Sequence, residues 1–148
     1  NHLESNKLTV KDKKMYRDLF SENEKEEIKN NSKYLIDKLA DAVKIRAVQV
    51  TTISRIIKNR KTQSLIVCGD FNDSPLSYTH QTLEKGLVDA FTESGNGMGI
   101  SYHQNRFYFR IDNILISNNL KSYLCTIDNK IKNSDHYPIW CFIHEKEK

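Results

Sequence analysis

The sequence predicts an α+β domain in which helices cover a mixed, mostly antiparallel sheet. Three observations carry that prediction. An apolar stripe at helical spacing runs through Leu35, Leu39, Val43, Val50, Ile53 and Ile57, with Ala42, Ala47 and Ile56 beside it. The apolar run at 65–68 is too short for a helix and reads as a buried strand. The last third then carries three stretches, at 107–117, 123–127 and 139–144, rich in aromatic and β-branched residues, with alternation at Phe109, Ile111, Asn113 and Leu115.

Taken in order, residues 5–31 are polar and charge-rich and read as an insert, a loop with helical pieces. Ser32 is a suitable N-cap for the long amphipathic helix, which Asn59 and Lys61 end. Ser77 caps a short helix through Leu83, and Gly86 stops it. Residues 94–99, rich in Gly, Ser and Asn, form a flexible loop. Helix, strand, short helix and then strands is the order expected of a helical layer over one sheet.

At 148 residues the chain is one domain or part of one, with 38% hydrophobic and 28% charged residues, the balance of a globular protein. The net charge of +4 is modest and acids are interspersed with Lys and Arg, so no basic stripe demands nucleic acid. Cys68, Cys125 and Cys141 sit in strand-like runs without a CxxC or Cys/His zinc spacing, which favours buried thiols. No stretch reaches membrane-spanning length and no signal peptide opens the chain, leaving its compartment unassigned. The opening Asn1-His2-Leu3, with no initiator Met, has the look of a segment cut from something longer.

Four polar clusters punctuate the apolar runs: Asn1-His2, Asp70-Phe71-Asn72-Asp73, Arg110-Ile111-Asp112-Asn113 and Ser134-Asp135-His136. Each has a plain reading as a turn, a frayed end or a solvent face, and Pro75 suits a turn after "GDFND". Each also has a chemical reading. An EF-hand from Asp70 fails, because Pro75 stands where the loop needs Gly and Gln81 replaces the bidentate Glu. No Gly-x-Ser-x-Gly elbow supports Ser134 as a nucleophile. Carboxylates, an amide and two histidines spread over several strand ends suit hydrolysis of a phosphate ester: oxygen ligands for Mg²⁺ or Mn²⁺, a base for water, and imidazoles for phosphate oxygens.

In this order the motifs resemble the C-terminal half of the endonuclease/exonuclease/phosphatase superfamily, which includes deoxyribonuclease I, exonuclease III and the neutral sphingomyelinases. "NHLES" is similar to its Asn-x-His-Leu strand, "RAVQVTTISRII" to its Arg-x-x-Gln helix, and "LIVCGDFNDSPLSYTHQTLEKGLVDAF" to its Gly-Asp-Phe-Asn-Asp-x-Pro stretch. "RIDNILIS" and "SDHYPIW" complete the series. The likeness covers nearly all of residues 1–148 apart from the insert. It implies half of a four-layered α/β/β/α sandwich, with the site at one end of two facing sheets.

The resemblance implies roles for named residues. Asp70 orients or deprotonates the attacking water and helps hold the metal. Asn72 hydrogen-bonds a phosphate oxygen. Asp112 pairs with His136, fixing its tautomer and favouring the imidazolium that stabilises the transition state. Asp135 holds metal or its waters, and His2 contacts phosphate from across the cleft. Asp73 and Arg110 are weaker substrate-binding candidates, one able to close a turn and the other to pair with an acid. Tyr102, His103 and Arg106 could stack on a base or hold a headgroup.

The principal metal-ligand Glu of the family's first half has no counterpart here. The expected function is therefore a metal-dependent phosphoesterase acting on nucleic acid, a phospholipid headgroup or an inositol phosphate, inactive without the missing N-terminal half. The alternative is a non-catalytic binding module on the same scaffold. One apolar sheet face, drawn among Leu65, Val67, Phe109, Ile111, Leu115 and Trp140 or the alternate set, would then seek that half or drive self-association.

Overall fold

The computed structural model describes residues 2–18, 25–104 and 107–147. The elements run α1 (Val10–Asp18), α2 (Lys25–Asn59), β1 (Ile66–Asp70), α3 (Tyr78–Glu84), β2 (Leu87–Asp89), α4 (Ala90–Ser94), β3 (Asp112–Ser117), β4 (Leu120–Ile127) and β5 (Ile139–Glu145). β1, β3 and β2 form one antiparallel sheet in that order, and β4 pairs with β5 in a second. The α+β class holds. No described helix is long and apolar enough to cross a membrane.

β3 is buried on both faces, from Asn113 to Ile116. Leu115 packs with Leu3, Val50, Val67, Phe71 and Leu83 under α2 and α3. Ile114 and Ile116 pack on the other side with Ala90, Phe91, Leu120 and Cys125, against which Ile139, Cys141 and Ile143 of β5 close. Each fully buried apolar side chain of this kind contributes about 1.5–3 kcal/mol. Burial, with Cys141 beside it, pushes the Cys125 thiol up to about 12.

Several expectations are corrected. α2 starts at Lys25, two turns before Ser32, which lies inside the helix rather than capping it. The stretch before Ser32 holds Lys and Glu and no Gly or Pro, so nothing in it stops helix propagation. Ser77 does cap α3, its hydroxyl accepting from the His80 N–H at 3.2 Å. Strand geometry expected from residue 107 begins only at Asp112. The reason is Ser101, whose buried Oγ accepts from the backbone N–H of both Ile111 and Asp112 at 3.1 Å, while Phe71 N donates to Ile111 O at 2.8 Å. β2 and α4 are too short to show a period and were not expected. Cys68 is exposed rather than buried.

The six residues assigned to one sheet face do not share one. Leu65, Val67 and Leu115 face α2, whereas Phe109 and Trp140 are exposed. Tyr123, Leu124 and Phe142 are exposed with Trp140 on the β4–β5 hairpin.

Asp89 ties the second core together. Its side chain is 1% exposed, accepts two hydrogen bonds from Arg110 at 3.1 and 2.6 Å, and caps α4 by accepting from the Phe91 and Thr92 N–H groups. Burial opposes ionisation of Asp89, but the Arg110 fork and the two backbone donors outweigh it and hold the carboxyl below the usual range. The buried His80 ring lies 3.2 Å away, and desolvation pushes its pKa down, keeping it neutral. Arg110→Ala leaves an uncompensated buried carboxylate, so the unfolding free energy from denaturant titration should fall by about 3–5 kcal/mol. Because the Asp89 pKa is depressed, its contribution is complete above the unfolded carboxylate range and is lost as pH falls through the folded value. A change of under about 0.5 kcal/mol, typical of a surface position, would contradict this role.

Candidate active site

The register of one strand pair sets the site. β1 ends and β3 begins at a paired position, Asp70 opposite Asp112, so two carboxylates from distant clusters meet across the ladder. His2 joins from a third segment, through a parallel bridge to Asp70 and a Leu3 N–H donated to Asp70 O at 3.0 Å. His136 joins from a fourth, bridged to Tyr102 just before β5.

α2 fixes the His2 segment. Arg46 and Gln49, one turn apart on the same helix face, both reach it. Arg46 Nη1 donates to Glu4 O at 3.0 Å and to Asn6 Oδ1 at 2.7 Å, and Gln49 Oε1 accepts from Glu4 N at 2.9 Å. Arg46 is buried, and its Nε lies 3.5 Å from Asp73 Oδ2, so one side chain joins the His2 segment to the turn after β1.

That turn is built on Asn72, which takes a left-handed φ of 49°, a conformation Asn accepts more readily than most residues. Its backbone N–H donates to Asp70 Oδ1 at 2.7 Å, and Nδ2 donates to Asp70 Oδ2 at 2.9 Å and to Leu3 O at 3.0 Å. Asn72 thus clamps Asp70 from two sides. Asp73 accepts from the Thr79 hydroxyl at 3.0 Å and from Ser74 N at 3.1 Å, which closes the turn.

His136 Nδ1 lies 2.7 Å from Asp112 Oδ2, and His2 Nε2 lies 3.3 Å from Asp70 Oδ2. Atoms of Asp70, Asp112 and His136 all fall within 4.8 Å of one another. The Asp112 hydrogen bond, reinforced by the charges of Asp112, Asp70 and Asp135, raises the His136 pKa against the opposing effect of burial. Burial, with Asp112 nearby, pushes Asp70 up, while the Asn72 N–H and the two imidazoles resist. The site therefore favours an imidazolium beside a carboxylate whose proton affinity exceeds that of a solvated acid.

These groups open onto a cleft of about 410 Å³ lined by His2, Asp70, Asn72, Asp135 and His136. Asp70, Asp112 and His136 each offer a ligand atom close enough to share one divalent cation, with His136 already engaging Asp112 through Nδ1, and exposed Asp135 lines the same cleft outside that group.

Of the other expected residues, Asp73 and Tyr102 line the cleft, and Tyr102 presents its ring edge to His136 at 5.1 Å. Arg110 stands apart from it, paired with Asp89. His103 stacks on Tyr137 at 3.8 Å. Arg106 and Asn1 lie outside the described residues. The cleft also takes in Lys7 and Lys13, which sequence reasoning missed. A signal for Lys13 existed in Thr9-Val10-Lys11-Asp12, a capping-box spacing that places a helix start beside it.

Residues 32–136 match the sequence profile described as the Endonuclease/Exonuclease/phosphatase family. No curated protein matches the chain. Among solved structures, a mannosyl-6-phosphatase of Bacteroides thetaiotaomicron is similar at 18% identity with a TM-score of 0.58, over 68% of this chain and 46% of that one. A family protein from the same species aligns at 18% identity and a TM-score of 0.57, covering 72% of this chain and 47% of its own. One from Leptotrichia buccalis aligns at 23% identity and a TM-score of 0.53, over 64% and 41%. The chain thus spans just under half the length of the structures it resembles, and at these identities they establish a shared fold. With the profile covering most of its length, the chain belongs to the endonuclease/exonuclease/phosphatase family.

Proposed function

We propose that this protein is a metal-dependent phosphoesterase that cleaves its substrate by in-line attack of water. The observation that carries the reading is the Asp112–His136 hydrogen bond of 2.7 Å, formed directly across the strand ladder from Asp70. A phosphoryl group in the cleft would meet an imidazolium and a clamped carboxylate side by side.

Asp70, held by Asn72 from two directions, orients the water and takes its proton. Its raised proton affinity suits that task. His136, kept charged by Asp112, donates to a phosphoryl oxygen as negative charge builds there. Exposed His2 supplies a second imidazole to the phosphate. Asn72 Nδ2 already serves Asp70 and Leu3 O, so its first role is positioning, and a bound phosphate oxygen would compete for one of those hydrogens. A Mg²⁺ or Mn²⁺ ion held by Asp70 and Asp135 would supply charge neutralisation of the phosphate.

The reading is tested on the full-length protein with Mg²⁺, using plasmid DNA, abasic DNA, sphingomyelin and inositol phosphates. At least one should be hydrolysed, with activity lost to chelator and restored by Mg²⁺ or Mn²⁺. Asp70→Ala should lower kcat by roughly a hundredfold or more. Turnover of none of these, or turnover indifferent to Asp70, contradicts the proposal.

The sign of the pH dependence follows from His136. A raised pKa means the imidazolium persists to higher pH, and activity that needs it declines as pH rises through that value. Asp112→Asn removes the largest cause of the shift, so the alkaline limb of kcat should move to lower pH. The double variant Asp112→Asn/His136→Ala should lose clearly less than the sum of the two single losses. An unmoved limb together with full additivity would break the pair.

A further inference from the structure

The polar segment after His2 builds one wall of the cleft. Thr9 and Asp12 form a capping box for α1: Asp12 N donates to Thr9 Oγ1 at 3.2 Å, and Thr9 N donates to Asp12 Oδ2 at 2.8 Å. The buried Asp12 carboxylate also accepts from Lys38 Nζ of α2 at 2.5 Å. That bond, with the Thr9 N–H, holds the Asp12 pKa down at about 2. The docked α1 carries the next residue, Lys13, to the mouth of the site. Its Nζ donates to the Tyr102 hydroxyl at 2.6 Å and lies 5.2 Å from the centre of that ring. Tyr102 in turn packs on His136, so the ammonium sits two ring contacts from the imidazole.

Asp70, Asp73 and Asp135 line the cleft together with His2 and His136, while Lys7 and Lys13 come from the polar segment. Lys7 is paired with Glu4 at 2.6 Å. No described carboxylate lies within ion-pair distance of Lys13, which donates to the Tyr102 hydroxyl. Among the described residues, Arg46 is committed to Glu4 O and Asn6, and Arg110 stands apart with Asp89. An ammonium has three donors, so the Tyr102 bond leaves two.

Resting on the phosphoesterase reading, we propose that Lys13 forms a second anion subsite beside the reacting phosphoryl group. The substrate is then a phosphate ester that carries another phosphate within reach of α1. Two sources share that chemistry: the neighbouring phosphate of a nucleic-acid strand and the second phosphate of a small bisphosphorylated polyol. Lys13 is a specificity-determining residue, and Tyr102 aims it.

The test compares the full-length protein with its Lys13→Gln and Lys13→Arg variants. Substrates are p-nitrophenyl phosphate, inositol 1,4-bisphosphate and a 5′-phosphorylated tetranucleotide. Preference for a doubly charged substrate over p-nitrophenyl phosphate, as a ratio of kcat/KM, should fall about tenfold or more in Lys13→Gln, the scale of one charge-assisted hydrogen bond. It should recover in Lys13→Arg, and the substrate whose preference falls identifies the source. A second arm needs no turnover. Calorimetric binding of the bisphosphate and the tetranucleotide to Asp70→Ala should weaken by a similar factor when Lys13→Gln is added. An unchanged ratio, or binding indifferent to Lys13 for both ligands, overturns the subsite. If the wild type hydrolyses nothing while binding still depends on Lys13, the catalytic reading fails and the subsite stands.

Discussion

The antiparallel register between β1 and β3 is the constraint on which the site depends. Because Asp70 is paired with Asp112, two acids more than forty positions apart in the chain become cross-strand neighbours. A slip of one residue would turn every side chain of one strand to the opposite face. The slip is blocked by packing: Val67 and Leu115 must face α2 while Ile114 and Ile116 face α4 and β5. Hydrophobic burial on both faces of β3 therefore fixes the geometry of a polar site at its end. Ser101 sharpens that end by taking the Ile111 and Asp112 amides out of the ladder.

Two carboxylates in this chain show how surroundings divide labour. Asp89 is buried with a guanidinium fork and backbone donors, and its pKa goes down. Asp70 is half-buried and faces another acid, and these push its pKa up against the Asn72 N–H and the two imidazoles. The first is a structural anion. The second lines the cleft with a proton affinity above that of a solvated acid.

How much of this was legible follows the range of the interactions. The α2 stripe, the Ser77 cap and the strand before "GDFND" rest on local periodicity and capping chemistry, and they were readable, except that Val43 and Ile56, counted with the stripe, are exposed on the outer side of α2. The four clusters were readable as residue types, but which acid meets which partner depends on tertiary register. Arg110 shows the difference: its pairing with an acid was an open alternative, while the identity of Asp89 required β2 to lie on β3. Helix α1 is one of the helical pieces expected within residues 5–31, but its place there was not legible. Its capping box is present in the sequence, but a charge-rich stretch without an apolar stripe hid it. The same composition hid the early start of α2, where helix formers without a breaker extend a helix that tertiary packing holds further along. Lys13 was missed because that helical piece was not placed.

The central claim is that Asp112, placed by the β1–β3 register, sets the protonation of His136. NMR titration of the His136 imidazole in the full-length protein, compared with Asp112→Asn, measures it most directly. The account requires a wild-type pKa above that of an ordinary histidine, and a clear fall in Asp112→Asn with the other histidines unmoved. A His136 that titrates as an ordinary solvated histidine, or one indifferent to Asp112, would contradict it.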